Sequence, residues 1–250
     1  MANSIEQNNC SVCSQRTQCV GAAAGSQTTS HRIRIERHTS LYEAGSAVGD
    51  QIYHIRSGSF KVVRGPSTPD SDADAHVIGF ALAPDFIGLD ALDQLEYANS
   101  VVALEDSVVC SISWNRHAFE GRRRPVMRAH LHALLAREMR REQRAALMLR
   151  NTQAEQRMAD LLLTLSERQA TYGYQPEEFR LPMSRCDIAS YLGVTAECVS
   201  RLLLQFKQRA LFELCRRDVK LLDMSALRTM AFGHEPPPQL QQDQAMLAAA

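Results

Sequence analysis

The sequence predicts an α+β protein with a strand-rich N-terminal domain, one long helix and a C-terminal domain of short helices. Two observations carry this prediction. Runs of β-branched residues at strand spacing, broken by turn residues, fill residues 33–113. A helical stretch without internal Pro or Gly follows from Pro125. A chain of 250 residues is long enough for one large domain or two of ordinary size.

The first segment, residues 1–30, has no apolar periodicity but holds Cys10, Cys13 and Cys19 in the spacing C-x2-C-x5-C. Thiolates this close along a chain can converge on one soft metal ion or an iron–sulfur centre. A redox-active cysteine pair or plain surface thiols are the alternatives. Three thiolates leave a four-ligand site one short, so a fourth cysteine is expected from among Cys110, Cys186, Cys198 and Cys215.

Residues 31–124 read as many short strands at near-regular intervals, which favours an antiparallel barrel or jelly roll. The polar, acidic stretch at residues 65–75 is predicted to be a solvated hairpin tip. Cys110 lies inside the strand-like run SVVCSIS. Taken alone, a cysteine in such a run is predicted to be a small buried core residue.

The long helix is predicted over residues 125–152, with Pro125 suited to its first turn. Along it, six residues recur at steps of three and four, which is the spacing of a coiled-coil seam. We interpret this seam as the interface of a homodimer; an amphipathic helix packed on its own domain is the alternative. The seam consists of Leu131, Leu135, Met139, Glu142, Ala146 and Leu149.

Residues 153–232 begin with a second amphipathic helix and continue into two short helices joined by a turn at Gly193. Ser184 and Thr195 are predicted N-caps of the two short helices. Such a pair is the signature of a helix-turn-helix, although a helical hairpin inside a larger domain would look similar. Two strand-like runs around Cys215 predict a wing.

The second short helix has an apolar side and a polar side. Its apolar residues are predicted to face inward: Val199, Leu202, Leu203 and Phe206. Its outer face is predicted to contact DNA through Glu197, Ser200 and Arg201, near the N-terminal end of the helix, where base-contacting side chains are found. Residues 184–220 carry seven Lys and Arg against four Asp and Glu, a local positive balance that suits phosphates.

Overall composition excludes some partners. Lys and Arg number 28, as do Asp and Glu, so the chain has no overall field that draws it to nucleic acid or anionic lipid. No apolar run is long enough to span a bilayer, and the N-terminus is polar, so we expect a cytoplasmic protein without a membrane partner. In that reducing compartment the seven cysteines are not expected to form disulfides.

The order of strand-rich domain, long helix and winged helix-turn-helix resembles the CRP/FNR family of bacterial transcription regulators. Glu197, Ser200 and Arg201 match the E-x-x-S-R pattern of the FNR branch, and the cysteine spacing with a lone cysteine late in the strand domain is similar to that branch too. The resemblance extends from Cys10 to about residue 230. It implies a β-roll similar to cyclic-nucleotide-binding domains, a dimerisation helix and a DNA-binding domain.

The resemblance also implies functional roles. It implies an oxygen-labile [4Fe–4S] cluster, which changes the interpretation of Cys110 from a core residue to a ligand, and half-sites similar to TTGAT, with RNA polymerase as a further partner. Arg201 can fork onto guanine, Glu197 can accept from cytosine N4–H, and Ser200 can contact an adjacent base. The remaining cysteines would be structural thiols. The implied cluster ligands are Cys10, Cys13, Cys19 and Cys110.

This chain departs from the pattern in two places. Between Cys19 and the first strand it has only VGAAAGSQTTS, without the family's extra helical segment, so the family's shielding of the cluster does not carry over. Where cyclic-nucleotide binders keep an arginine for the phosphate, this chain has Tyr97, Ala98, Asn99 and Ser100, so cyclic AMP is not an expected effector. The tail, residues 233–250, reads as disordered.

Together these patterns predict a homodimeric transcription regulator that senses oxygen, not an enzyme. A regulator of the same fold that responds to nitric oxide, to thiol oxidation or to another metal is the first alternative. An electron-transfer iron–sulfur protein belongs to a different class, and it is disfavoured because a helix-turn-helix has no role there.

Overall fold

The computed structural model describes residues 5–7, 30–65, 75–113, 124–151, 153–171 and 173–232. The chain divides into two compact units, Met1–Glu142 and Gln143–Ala250, each described here by itself. Cys10, Cys13 and Cys19, most of the predicted loop at residues 65–75, and the predicted tail at residues 233–250 lie outside the described residues.

The first unit is built on two antiparallel sheets, as the strand-like runs predict. One sheet has the order β1-β2-β9-β4-β7, and the other has the order β3-β8-β5-β6. A short 3-10 turn, Leu89–Ala91, follows β7. The strands are β1 Ile5–Gln7, β2 Ser30–Ile35, β3 Ser40–Tyr42, β4 Gln51–Ser57, β5 Ser59–Arg64, β6 His76–Leu82, β7 Phe86–Ile87, β8 Ser100–Ala103 and β9 Ser107–Ser113.

The five-stranded sheet buries apolar side chains on both of its faces. Ile55 and Val109, which are register partners on β4 and β9, belong to the core between the sheets. Because side chains alternate along a strand, the next residues point to the opposite face. There Ile52 and Ile112 form a second apolar cluster, packed against Phe86, Leu89 and Leu92. This second surface is called the outer face below.

The turn from β4 to β5 depends on Gly58. Its φ is +90°, and a Cβ at this position would lie 2.1 Å from Ser107 Oγ and 2.8 Å from the Ser107 Cα. Any side chain would therefore push the turn away from the start of β9. Gly58 is one of the turn residues that break the strand-like runs of the sequence, and the contact with Ser107 explains why no other residue fits.

Helix α1 spans Arg124–Asn151, so it begins one residue before the predicted helix and ends one residue before it. Of the six seam residues, Leu131 and Leu135 are half-buried, whereas Met139, Glu142 and Ala146 are exposed. Met139 is 63% exposed and the nearby Leu147 67%. The side chain of Leu149 lies outside the described residues. Part of the seam is thus left open to solvent in the single chain.

One ion pair holds α1 to the strands of the first unit. Arg141 Nη2 lies 3.2 Å from Asp85 Oδ1, and the Asp85 side chain is only 3% exposed. The second oxygen of Asp85 accepts a hydrogen bond from the Leu82 backbone at 3.1 Å. A carboxylate buried this deeply needs such partners, because an unpaired charge away from water is costly.

The second unit contains the predicted helix-turn-helix and wing, with two elements that the sequence did not indicate. The unforeseen elements are the edge strand β10 and the final helix α5. The three strands form a sheet of order β10-β12-β11. The elements after α1 are α2 Ala154–Thr171, β10 Glu178–Arg180, α3 Arg185–Leu192, α4 Ala196–Gln208, β11 Phe212–Cys215, β12 Asp218–Leu221 and α5 Met224–Phe232.

Within the second unit, Arg144 ties the last turns of α1 to α2. Its guanidinium donates to Asp160 Oδ1 at 2.9 and 2.5 Å and to Glu167 Oε2 at 2.8 Å. It also stacks over the Phe232 ring, 5.2 Å from the centroid. Burial raises the pKa of both carboxyls above their ordinary values, and it outweighs the lowering effect of Arg144.

Replacing Arg144 with Met should destabilise this unit by about 3 kcal/mol, because two largely buried carboxylates lose their cation. Without Arg144 the pKa values of Asp160 and Glu167 rise further. Groups whose pKa is raised on folding stabilise the protein below their unfolded values of 3.8 and 4.5, and this stabilisation is lost as pH rises. Thermal unfolding should therefore show a larger penalty at pH 8 than at pH 5; an equal penalty at both would contradict the assignment.

Candidate DNA-binding surface and metal site

The helix-turn-helix is fixed by the caps that the sequence predicts. The Ser184 hydroxyl accepts from the Asp187 amide at 3.0 Å, and the Asp187 carboxylate accepts from the Ser184 amide at 3.0 Å. Gly193 ends α3 with φ +63°. Thr195 begins α4 by accepting from the Cys198 amide at 3.2 Å. These bonds set the angle at which α4 leaves the turn.

Helix α4 is amphipathic, and its apolar side faces inward as predicted. Its inward residues are all at most 7% exposed: Val199, Leu202, Leu203 and Phe206. Glu197 and Arg201 are exposed and Ser200 is half-buried, so all three lie away from the core. The Arg201 guanidinium lies 3.8 Å from the Cys198 thiol, which is a weak contact that leaves its donors available.

A residue that the sequence reasoning missed is Arg185, the first residue of α3. Its guanidinium donates to the Ser200 hydroxyl at 3.2 Å, which brings a second arginine to the outer face of α4. Ser200 in turn donates to the Ala196 carbonyl at 2.9 Å. The sequence does contain a signal for this role. Arg185 directly follows the Ser184 cap, and residues in the first turns of two adjacent helices come close together in a helix-turn-helix.

The wing is the predicted pair of strands, β11 and β12, joined by a tight turn in which Arg216 has φ +58°. Arg217, beside it, donates to the Pro182 carbonyl at 3.0 Å. Cys186 and Cys215 are exposed and Cys198 is half-buried.

Cys110 lies on β9 and is 6% exposed, as predicted for a strand cysteine. Strand register places it in one row across the sheet, between Arg32 on β2 and His54 on β4, with Glu6 on β1 and Phe86 on β7 at the ends. Within the described residues, no group of three or more His, Cys, Asp or Glu is arranged to hold a metal ion. Cys110 is therefore at most part of a site to which other residues contribute.

Strand β1 limits the distance between the N-terminal cysteines and Cys110. Paired strands lie about 4.8 Å apart, so the Glu6 backbone is about 10 Å from that of Cys110, two strands away. Cys10 follows Glu6 by four residues, a length of chain that spans at most about 14 Å. The chain between Glu6 and Cys10 is therefore long enough for Cys10 to reach Cys110. This could not be predicted from the sequence, because β1 is three residues long and largely polar.

Three tyrosines form a cluster, and two of them, Tyr42 and Tyr53, pack against the core between the sheets. Tyr42 and Tyr97 stack with centroids 3.7 Å apart and planes at 12°, and Tyr53 lies 6.0 Å from Tyr42. Burial raises the pKa of all three phenols, and Asp90 raises those of Tyr42 and Tyr97 further. The cluster is thus neutral, with a carboxylate as neighbour. Such surroundings do not favour a phosphate.

No helix in the described part of the chain is both long and apolar enough to cross a membrane. A two-sheet domain followed by a long helix and a winged helix-turn-helix defines a class of protein: a DNA-binding regulator with a β-roll domain.

Comparison with known proteins identifies the family. Residues 156–230 match the Crp-like helix-turn-helix domain, and residues 32–119 match the cyclic nucleotide-binding domain. The chain is 34% identical over 199 residues to the transcriptional regulatory protein btr of Bordetella pertussis, covering 80% of each. It is 34% identical over 200 residues to the fumarate and nitrate reduction regulatory protein of Escherichia coli K12, covering 80% of this chain and 78% of that one.

A solved structure agrees on the fold. FixK2 from Bradyrhizobium japonicum superposes with a TM-score of 0.69 at 22% identity, covering 80% of this chain and 96% of that one. The protein belongs to the CRP/FNR family of transcription regulators. It is a DNA-binding regulator of α+β fold rather than an enzyme, which confirms the fold and the functional class that the sequence predicts.

Proposed function

We propose that this regulator belongs to the FNR branch and senses oxygen through a [4Fe–4S] cluster held by Cys10, Cys13, Cys19 and Cys110. The observation that carries the proposal is strand β1, which ties the chain just ahead of Cys10 to the sheet that contains Cys110. Thiolates are the ligands that such clusters require. The buried, apolar outer face beside Cys110 would limit access of solvent to the cluster.

The proposal divides the chain by role: residues 1–30 bind the cluster, 31–124 form the sensor domain, 125–152 dimerise, 153–232 bind DNA, and 233–250 form a tail. The spacing of the seam supports dimerisation, and the exposed Met139 and Leu147 on α1 are apolar side chains that a partner helix would cover. We place this homodimer in the cytoplasm, acting on RNA polymerase at its promoters.

The proposed target is a palindrome of TTGAT-type half-sites, each read by one subunit. The exposed Arg201 would fork onto guanine, Glu197 would accept from cytosine, and Ser200 would contact a neighbouring base. Arg185, bonded to Ser200, would add a contact to the phosphate backbone. The two half-sites would lie about one helical turn apart.

We propose no cyclic-nucleotide effector. The tyrosine cluster supports this, because the charged group that raises the pKa values of its stacked rings, Tyr42 and Tyr97, is the carboxylate of Asp90, which repels a phosphate. Isothermal titration with cyclic AMP is expected to give no heat of binding, and a saturable heat would contradict this part of the proposal.

Arg201→Ala tests the reading of bases. It should weaken binding to a TTGAT palindrome by about 1–3 kcal/mol per half-site, because a bidentate guanine contact is lost. Binding to random DNA should change far less. Lys207→Ala, which removes a charge from the exposed last turn of α4, is the matched control and should affect both DNAs equally. If Arg201→Ala also weakened both equally, Arg201 would be a phosphate contact.

A test of the whole proposal is anaerobic purification with iron and acid-labile sulfide analysis. The proposal expects a coloured protein that binds the palindrome, then loses both colour and binding in air. A colourless protein that binds equally well with and without air would instead favour thiol oxidation or another metal as the signal.

A further inference from the structure

His54 is the cross-strand neighbour of Cys110, and the role proposed above does not use it. The two residues are register partners on β4 and β9, so their side chains point to the same face of the sheet. Cβ atoms of such partners lie about 4.5–5.5 Å apart. His54 is 1% exposed and Cys110 is 6% exposed. The pair is therefore an imidazole and a thiol side by side in a largely dry environment.

The His54 ring has one engaged nitrogen and one unengaged nitrogen. Nε2 is buried and has no hydrogen-bond partner among the described residues. A hydrogen bond links the ring to the Pro84 backbone. Because proline has no N–H, the Pro84 group must be the carbonyl, and the ring nitrogen that donates to it must be Nδ1.

The ring is neutral at physiological pH. Burial lowers the pKa of His54 to about 4, and nearby Arg56 lowers it as well. A neutral imidazole that donates from Nδ1 has a lone pair on Nε2. That lone pair is therefore buried, unpartnered and on the same face as the Cys110 thiol. An Nδ1–H bonded to a backbone carbonyl is also how metal-binding histidines are commonly oriented.

Asp85 is an acidic neighbour of His54, but its carboxylate accepts hydrogen bonds from other groups and offers no donor to this lone pair. The Asp85 carboxylate accepts from the Leu82 amide and from Arg141. Phe86 covers one face of the imidazole, with ring centroids 4.7 Å apart. The ring is thus held from two sides, by Pro84 and by Phe86, and its orientation is fixed before any ligand binds.

We propose that Cys110 Sγ and His54 Nε2 form a half-site for a single borderline divalent metal ion, of the Zn²⁺ or Co²⁺ class. Such ions bind thiolate at about 2.3 Å and imidazole at about 2.0–2.1 Å, which neighbours about 5 Å apart can both reach. The thiol proton leaves to solvent on binding. Water that enters with the ion fills its remaining positions. The half-site shares Cys110 with the proposed cluster, so it binds metal in chains that carry no cluster.

Cobalt(II) titration of the full-length chain tests this. In the variant with every cysteine except Cys110 changed to Ser, an iron–sulfur cluster cannot assemble and the exposed thiols cannot bind cobalt. Under anaerobic conditions Co²⁺ should produce a thiolate-to-cobalt charge-transfer band and ligand-field bands that saturate together. Adding His54→Ala should weaken the affinity at least about tenfold and shift the ligand-field bands. His76→Ala, which removes an exposed histidine of the same unit, is the control and should change neither.

Equal affinity in the His54→Ala and His76→Ala variants would overturn the half-site. If His54→Ala does not fold by circular dichroism, the nitrogen chemical shift of His54 Nε2 in the parent variant is measured with and without Zn²⁺. A shift to the metal-bound range supports the proposal, and no shift rejects it. Both readouts are independent of the cluster, so a wild-type protein that assembles no [4Fe–4S] would contradict only the proposed function.

Discussion

Changing any one of Cys10, Cys13, Cys19 or Cys110 to Ser is expected to abolish the cluster. A [4Fe–4S] cluster needs four thiolates, and a serine hydroxyl is a poor substitute because it stays protonated at neutral pH. After anaerobic reconstitution, the wild type should hold about four irons and four sulfides per chain, and each variant should hold close to none. The loss of binding to the palindrome should follow the loss of iron.

Two matched controls come from the DNA-binding unit. Cys186 and Cys215 are exposed thiols far along the chain from the N-terminal segment, and Cys186→Ser and Cys215→Ser should keep full iron and sulfide. These two variants show whether a loss of iron comes from the loss of a cluster ligand or from the removal of any thiol. A full cluster in Cys110→Ser would show that the fourth ligand has been wrongly assigned, and a cluster lost in Cys186→Ser would point to that residue instead.

The fold could be predicted well wherever local chemistry determines the structure. The β4–β5 turn follows from Gly58, the helix-turn-helix from the caps at Ser184 and Thr195, and the buried side of α4 from its apolar spacing. The preference behind each of these lies in residues close together in the chain, and at Gly58 the contact with the distant Ser107 agrees with it. The structure confirms them because no distant contact opposes the local preference.

The register in which strands pair could not be predicted from the sequence. The position of His54 beside Cys110, 56 residues apart in the chain, exists only because β4 and β9 pair in one particular alignment. A shift of one residue would move His54 to the other face of the sheet. Strand β1 was missed for a related reason: three residues carry too little pattern, and their pairing with β2 is what makes them a strand.

The seam of α1 is the proposed dimer interface, where the chain would contact a second copy of itself. Glu142 is exposed, and Met139 and Ala146 on either side of it along the seam are exposed as well. Arg141 is bonded to Asp85 in the first unit, and Arg144 is bonded to Asp160 and Glu167 in the second. Glu142 therefore lies in sequence between two anchored residues, at the boundary of the two units.

In a parallel dimer Glu142 would face the same residue of its partner. Two carboxylates about 6 Å apart repel by about 3 kcal/mol at an effective dielectric constant of about 20, which is roughly a hundredfold in the dissociation constant. We propose that an intact cluster positions α1 so that its apolar contacts outweigh this repulsion. Without the cluster the repulsion would exceed the apolar contacts by a small margin, and the chain would be mostly monomeric.

Glu142→Ala should therefore dimerise and bind the palindrome in air, without a cluster, with a dissociation constant roughly a hundredfold below that of the aerobic wild type. Glu142→Gln should do the same, because it keeps the shape and removes the charge, while Glu142→Asp keeps the charge and should stay monomeric. Sedimentation velocity gives the oligomeric state, and fluorescence anisotropy with the palindrome gives DNA binding.

An aerobic Glu142→Ala protein that remains monomeric, or a wild type equally dimeric with and without its cluster, would show that repulsion at Glu142 does not control assembly. The Glu142→Asp variant decides between charge and packing, since only a charge mechanism leaves it monomeric while Glu142→Gln dimerises.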